Sequence, residues 1–305
     1  MAFLLFAMAP NLTSAQLTIA AYWKMYYNFR WSSNQTLVSK VTFSDLANLR
    51  LRSNEADPSQ WPNASWKAVV EPLLSATPCL KSLELRGFSS LVRGSLKLPS
   101  QLTSLIFIDT NFSADALRDI VDSCKQLSKI CTYSYHNGLG DPEVEHLARE
   151  RLQVLSTTQG ADKLQTLALC STVLHPSPVI GMGRFTALKV LGIRYAFTGS
   201  KGFDNDLLVN LVKDCPHLRG LLVAGAFRIS RDGLKRFAMA ASRLEFPSLR
   251  QVKLVCRSEF WDDLKRVANA PIPGLFRFGN VKLVLRVHEY EGTARLIEEL
   301  EEDVL

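Results

Sequence analysis

The chain has 305 residues, of which 47% are hydrophobic and 21% charged, with a formal net charge of +7 and six cysteines. That balance excludes a disordered polar chain, and no apolar run reaches the roughly 18 residues that a membrane-spanning helix needs. The length would suit about two globular domains, yet a repeat protein has no such ceiling, because each repeat touches only its neighbours.

In chain order, Ala2–Ala9 is an apolar octet that runs into Pro10-Asn-Leu12. No Lys or Arg precedes it, so the positive region of a signal peptide is missing. It reads instead as the end of a helix before a first strand with Ala15 and Leu17, so that the chain would begin inside a repeat with an uncapped apolar end. The aromatic stretch Tyr22, Trp23, Tyr26, Tyr27, Phe29 and Trp31 reads as core or interface packing. Leu46/Leu49/Leu51 predicts a second strand, residues 52–63 a polar excursion, and Ala64–Ala76 a helix by its period. Strands follow at Leu80/Leu83/Leu85 and Leu102/Leu105/Phe107. Ser113 caps a helix with Leu117, Ile120 and Val121.

Next come Leu127/Ile130/Thr132 and a helix opening at Asp141-Pro142, proline being favoured at a first helical position. Leu164/Leu167/Leu169 precedes Leu174–Arg184, which with two prolines reads as an extended surface loop. Leu188/Leu191/Ile193, Leu218/Leu221/Val223 and Leu249/Val252/Leu254 are the last three clear strands, with helices opening at Asp204 and Ser230 between them. Val281/Leu283/Leu285 is a degenerate tenth unit, and residues 286–305 form an acidic helix predicted to cap the end.

Nine strands carry this triplet at relative positions 0, 3 and 5, apolar throughout but for Thr132, and their first leucines lie between 22 and 37 residues apart. A short stop recurs before them, as in Thr-Pro78-Cys-Leu80, Ser-Cys124-Lys-Gln-Leu127, Cys215-Pro-His-Leu218 and Phe-Pro247-Ser-Leu249. Such spacing is that of a helix-plus-strand repeat, whose units bury their apolar faces only by stacking. Alternation along a strand sends Leu83 and Leu85 one way and Glu84 and Arg86 the other.

Dedicated chemistry is missing from the pattern. Cys79, Cys124, Cys131, Cys170, Cys215 and Cys256 form no CxxC pair and no metal spacing with histidine; they read as free thiols of a reducing compartment. The five histidines form no ligand cluster, Gly181-Met-Gly183 is too short for a nucleotide loop, and no nucleophile elbow or Walker loop occurs. No catalytic residue, metal or cofactor is expected. The sequons at Asn11, Asn34, Asn63 and Asn111 read as incidental.

The L-x-x-L-x-L triplets, with Cys215-Pro-His-Leu218 among them, resemble the leucine-rich repeats of F-box proteins, of the irregular kind abundant in filamentous fungi. The resemblance implies an α/β fold: one irregular leucine-rich-repeat solenoid over residues 1–305, of nine or ten repeats, a horseshoe with parallel strands on the concave side and helices on the convex side. In that family an F-box links the protein to a cullin ubiquitin ligase and the repeats recruit the protein to be ubiquitinated; no F-box precedes the first repeat here. The expected role is a non-catalytic, intracellular (cytoplasmic or nuclear) protein-interaction scaffold. Its partner, a protein or peptide, would meet the concave face at Arg50, Glu84, Arg86, Tyr133, Arg194 and Lys253, around an apolar middle of Ile106, Ala168, Gly192 and Leu222. Arg and Tyr are frequent hot-spot residues. The alternatives are a nucleic-acid-binding protein, on the net charge alone, and a secreted repeat protein.

Overall fold

A computed structural model describes residues 12–19, 43–53, 70–71, 73–87, 97–108, 110, 114–133, 154–169, 182–194, 212–224, 236–237, 239–240, 243, 245–256, 275–278, 280–287 and 293–305. The aromatic stretch, the four sequons, Cys170, the five residues Asp141 to Glu145 and the Asp204 and Ser230 caps lie outside them. The fold is α/β, and it divides into two compact units, residues 1–132 with 158–160, and residues 133–157 with 161–305.

The first unit holds β1 (Ser14–Ile19), β2 (Asn48–Ser53), β3 (Ser82–Arg86), β4 (Ser104–Ile108) and β5 (Lys129–Tyr133, its last residue apart), side by side in chain order. The first four pair in parallel, so that Ala15, Leu49, Leu83 and Leu105 lie in one register row and Leu17, Leu51, Leu85 and Phe107 in the next. The triplets are therefore in phase in space as well as in sequence. Leu49, Leu51, Leu83, Leu85 and Leu105 are each at most 1% exposed, and every such side chain contributes about 1.5–3 kcal/mol. The helix α1 (Ala114–Ser123) adds Leu117, Ile120 and Val121 to this core.

The second unit holds β6 (Thr166–Leu169), β7 (Val190–Arg194), β8 (Gly220–Ala224), β9 (Gln251–Cys256), β10 (Leu275–Phe278), β11 (Val281–Val287) and the helix α2 (Thr293–Val304). Strands β6 to β9 and then β11 run parallel, with Leu167, Leu191, Leu221, Val252 and Leu283 in register. The tenth unit is thus a real strand. Strand β10, which the triplet pattern does not mark, pairs antiparallel with β11 through Phe278 and Val281. The Gly-Asn at 279–280 between them is a common sequence for a two-residue hairpin.

The recurring stop has one physical form. From the second triplet on, the backbone N–H of the first leucine donates to the carbonyl three residues earlier, as Leu80 to Thr77, Leu102 to Pro99, Leu127 to Cys124, Leu188 to Phe185, Leu218 to Cys215 and Leu249 to Phe246. Pro78, Pro216 and Pro247 therefore stand second in a tight turn, where the fixed φ of proline fits. The next two N–H groups then share one carbonyl of the preceding repeat, as Lys81 and Ser82 do on Ala47 (2.8 and 2.9 Å) and Arg219 and Gly220 on Lys189 (2.7 and 2.9 Å). This pair of bonds fixes the register of β2 to β5 and of β7 to β9, each on the strand before it.

Leu174–Arg184 departs from the expected extended loop at its described end. Met182–Arg184 is a 3-10 turn with Met182 buried, and Phe185 takes the stop position ahead of Leu188. Phe185 fills the place that Cys124 and Cys215 fill elsewhere, and a stop without Pro or Cys escapes the motif.

Candidate interaction surface

Strand alternation leaves each unit a face opposite its leucines. In the first unit it carries Gln16, Arg50, Glu84 and Ile106 in one register row, with Arg52, Arg86 and Ile108 in the next. Strand β3 alternates half-buried and buried residues along its length, as expected where only one face is packed. Arg50 and Glu84, neighbours across β2 and β3, form an ion pair of 3.4 Å (Nε to Oε2) in which the arginine side chain is 63% exposed. Arg52 is exposed and Arg86 half-buried. Three cations and one carboxylate thus share the outward side of β2 and β3. Just past them, Gly87 turns the chain at φ 78°, a conformation that favours glycine, and its N–H donates to the Ile108 carbonyl.

The same face of the second unit is covered. Strand β8 is buried at all five positions and β6 at all four. Helix α2 lies on the outward residues of β7, β8 and β9. Ile297 sits over Gly192, where even a Cβ would overlap its side chain. Leu300 and Val304 sit over Gly220, whose added Cβ would meet Leu300 Cγ at 2.9 Å and Val304 Cγ2 at 3.1 Å. The helix passes from the middle row of the strands toward their first row, against the strand direction. At both glycines the apolar side chains of the helix occupy the space that a Cβ would need.

Polar contacts line both edges of this helix. On one side the Thr166 hydroxyl donates to Glu301 Oε1 at 2.6 Å. On the other, the Gln251 amide donates to Asp303 Oδ2 at 2.9 Å, and Lys253 Nζ stands 3.3 Å from Asp303 Oδ2 and 3.7 Å from Glu299 Oε2. Lys253 is 2% exposed, and a buried ammonium is tolerable only with such partners. Burial works to raise the Asp303 carboxyl, but the Gln251 hydrogen bond, Lys253 and the charge of Lys282 outweigh it and hold it below its ordinary value.

The expected surface is corrected accordingly. Lys253 does stand on the outward face but is not open to a partner, because α2 covers it and supplies its carboxylates. Ala168, Gly192 and Leu222, expected as the apolar middle of a contact surface, are buried too. The C-terminal helix exists, but it lies on the sheet face rather than across the end of the stack. Arg50, Glu84 and Arg86 do come together. Tyr133 ends β5 and Arg194 ends β7, in register with Ala224; their side chains lie outside the described residues.

Sequence reading missed Ile297, Leu300, Val304 and their carboxylates as a sheet-binding stripe. The signal was present: Thr166–Leu169 and Gly220–Ala224 are continuously apolar or small rather than alternating, which marks strands buried on both faces.

Four cysteines among the described residues form no disulfide, with Cys124, Cys131 and Cys215 buried and Cys79 half-buried. Burial, and then the neighbouring Asp214 charge, push the Cys215 thiol up to about 12. Burial also raises Cys124, against a weak hydrogen bond from Ser123. Among the described residues no group of three metal-ligating side chains occurs, and no helix is long and apolar enough to cross a membrane. No family model and no curated protein matches the chain.

Proposed function

We propose that the chain is a non-catalytic protein-interaction scaffold: a leucine-rich-repeat solenoid with its strands on the concave side and its helices on the convex side. Its partner contact lies on the outward strand face, as in the recruiting repeats of F-box ubiquitin ligase subunits. One observation carries the reading. The outward side of β2 and β3 gathers Arg50, Arg52 and Arg86 around Glu84, with the half-buried Ile106 next to it in register. A face of that composition suits an acidic protein segment with an apolar centre, because complementary charge steers the encounter and the apolar contact adds affinity. Free, buried thiols fit a reducing intracellular compartment.

Affinity capture from the source cell tests this. The chain and its Arg50→Glu/Arg86→Glu variant are compared after both show the same thermal transition. Loss of the captured protein with the variant is the expected result, and an unchanged set of captured proteins overturns the assignment of this face. Capture of random RNA with a steep salt dependence would favour the nucleic-acid reading instead.

A further inference from the structure

We propose that the outward face of β6–β9 is a receptor for an acidic amphipathic helix of a partner protein, and that α2 is its built-in occupant, which such a helix displaces. The proposal rests on the reading that outward strand faces are contact surfaces, and it extends that reading to the second unit. The seated helix shows what the face accepts: apolar residues at i, i+3 and i+7 (Ile297, Leu300, Val304) and carboxylates at i+2, i+4 and i+6 (Glu299, Glu301, Asp303). Every element of that pattern has its counterpart on the sheet. Gly192 and Gly220 make room for the apolar side chains, while Lys253, Gln251 and Thr166 receive the carboxylates.

Displacement is physically open because α2 takes no part in the strand ladders. The ladders of β6 to β9 and β11 and the leucine rows Leu167–Leu283 and Leu169–Leu285 are formed without α2. The Glu299 and Asp303 side chains at its edge are 30% and 43% exposed, already partly hydrated. A lone helix of this length is marginal in water, so α2 off the face has no reason to stay folded, and only its tether favours it over a competitor.

The test uses a fluorescent peptide of residues 293–305 and the full chain carrying Ile297→Asp/Leu300→Asp, which frees the face. The peptide is expected to bind this chain at least about tenfold more tightly than the parent, in which the competent fraction is small. Glu299→Lys/Asp303→Lys in the peptide, or Gly192→Leu in the freed chain, should abolish that binding. No binding to a freed chain that keeps its thermal transition, equal binding to both chains, or indifference to the charge reversal each overturns the proposal. Should the freed chain not fold, hydrogen exchange on the parent decides. Amides of 293–304 exchanging faster than those of Gly220–Ala224 supports a separable helix, and equal rates overturn it. The Arg50/Arg86 experiment concerns the first unit and this one the second, so a failure of either is told apart from a failure of the other.

Discussion

Leu83 and Leu191 occupy the same repeat position, at most 1% exposed, with register neighbours of similar size on either side. Truncation of either to alanine removes the burial and leaves a cavity that flanking strands cannot close. The expected loss is about 2–5 kcal/mol each, read from urea denaturation. Glu84→Ala, one residue along, should cost no more than about 1 kcal/mol, since its ion pair with a largely exposed Arg50 is screened. Equal losses at all three positions would contradict the two-faced strand. The stop cysteines give a second expectation at this scale. Cys215, pushed up to about 12, and Cys124, also raised, hold no useful thiolate at neutral pH. Iodoacetamide at pH 7 should leave both unlabelled in the folded chain and label both in urea, with mass spectrometry as the readout.

Helix α2 is where sequence and structure part most clearly, and the reason is physical. Triplet register is written locally, in alternation and turn chemistry, so Leu46, Leu80 and Leu218 could be placed in phase without coordinates. What lies on the other side of a strand is a long-range matter. Leu222, Gly192 and Lys253 read equally well as an open contact surface or as the floor beneath a helix, and only the unbroken apolarity of Gly220–Ala224 favours the second. The arginine face in the first unit was legible because Arg50, Glu84 and Arg86 alternate with buried leucines. Gly220→Val separates the two readings of the second unit. On an open face valine suits a strand better than glycine, whereas beneath α2 its Cβ meets Leu300 and Val304. A loss of about 1–3 kcal/mol is expected, and it should shrink when Leu300→Ala makes room, a coupling that a double-mutant cycle measures. The helix should also loosen in acid. Because the Asp303 carboxyl lies below its ordinary value in the folded chain, its contribution is complete above the ordinary carboxylate range and is lost as pH falls through the lowered value. Asp303→Asn should remove that part of the acid dependence, which solvent exposure limits to about 1 kcal/mol.

At the largest scale, a bond pair that repeats from strand to strand predicts stability that is mainly a sum of neighbour terms along each sheet. Within each unit, β2 to β5 and β7 to β9 are each registered on the strand before by the same two N–H groups on one carbonyl, whether Lys81 and Ser82 on Ala47 or Arg250 and Gln251 on Arg219. Nothing in that device reaches beyond the adjacent repeat, which is the condition under which repeat proteins behave as one-dimensional arrays. Leu83 has Leu49 and Leu105 as register neighbours, and Leu221 has Leu191 and Val252. The two sets share no residue. The losses from Leu83→Ala and Leu221→Ala should therefore add in the double variant to within about 0.5 kcal/mol, whereas Leu191→Ala with Leu221→Ala, adjacent in register, should depart from additivity by more. Both cycles come from denaturant midpoints at constant slope. A large coupling between Leu83 and Leu221 would mean that the core is shared across the molecule and not assembled repeat by repeat.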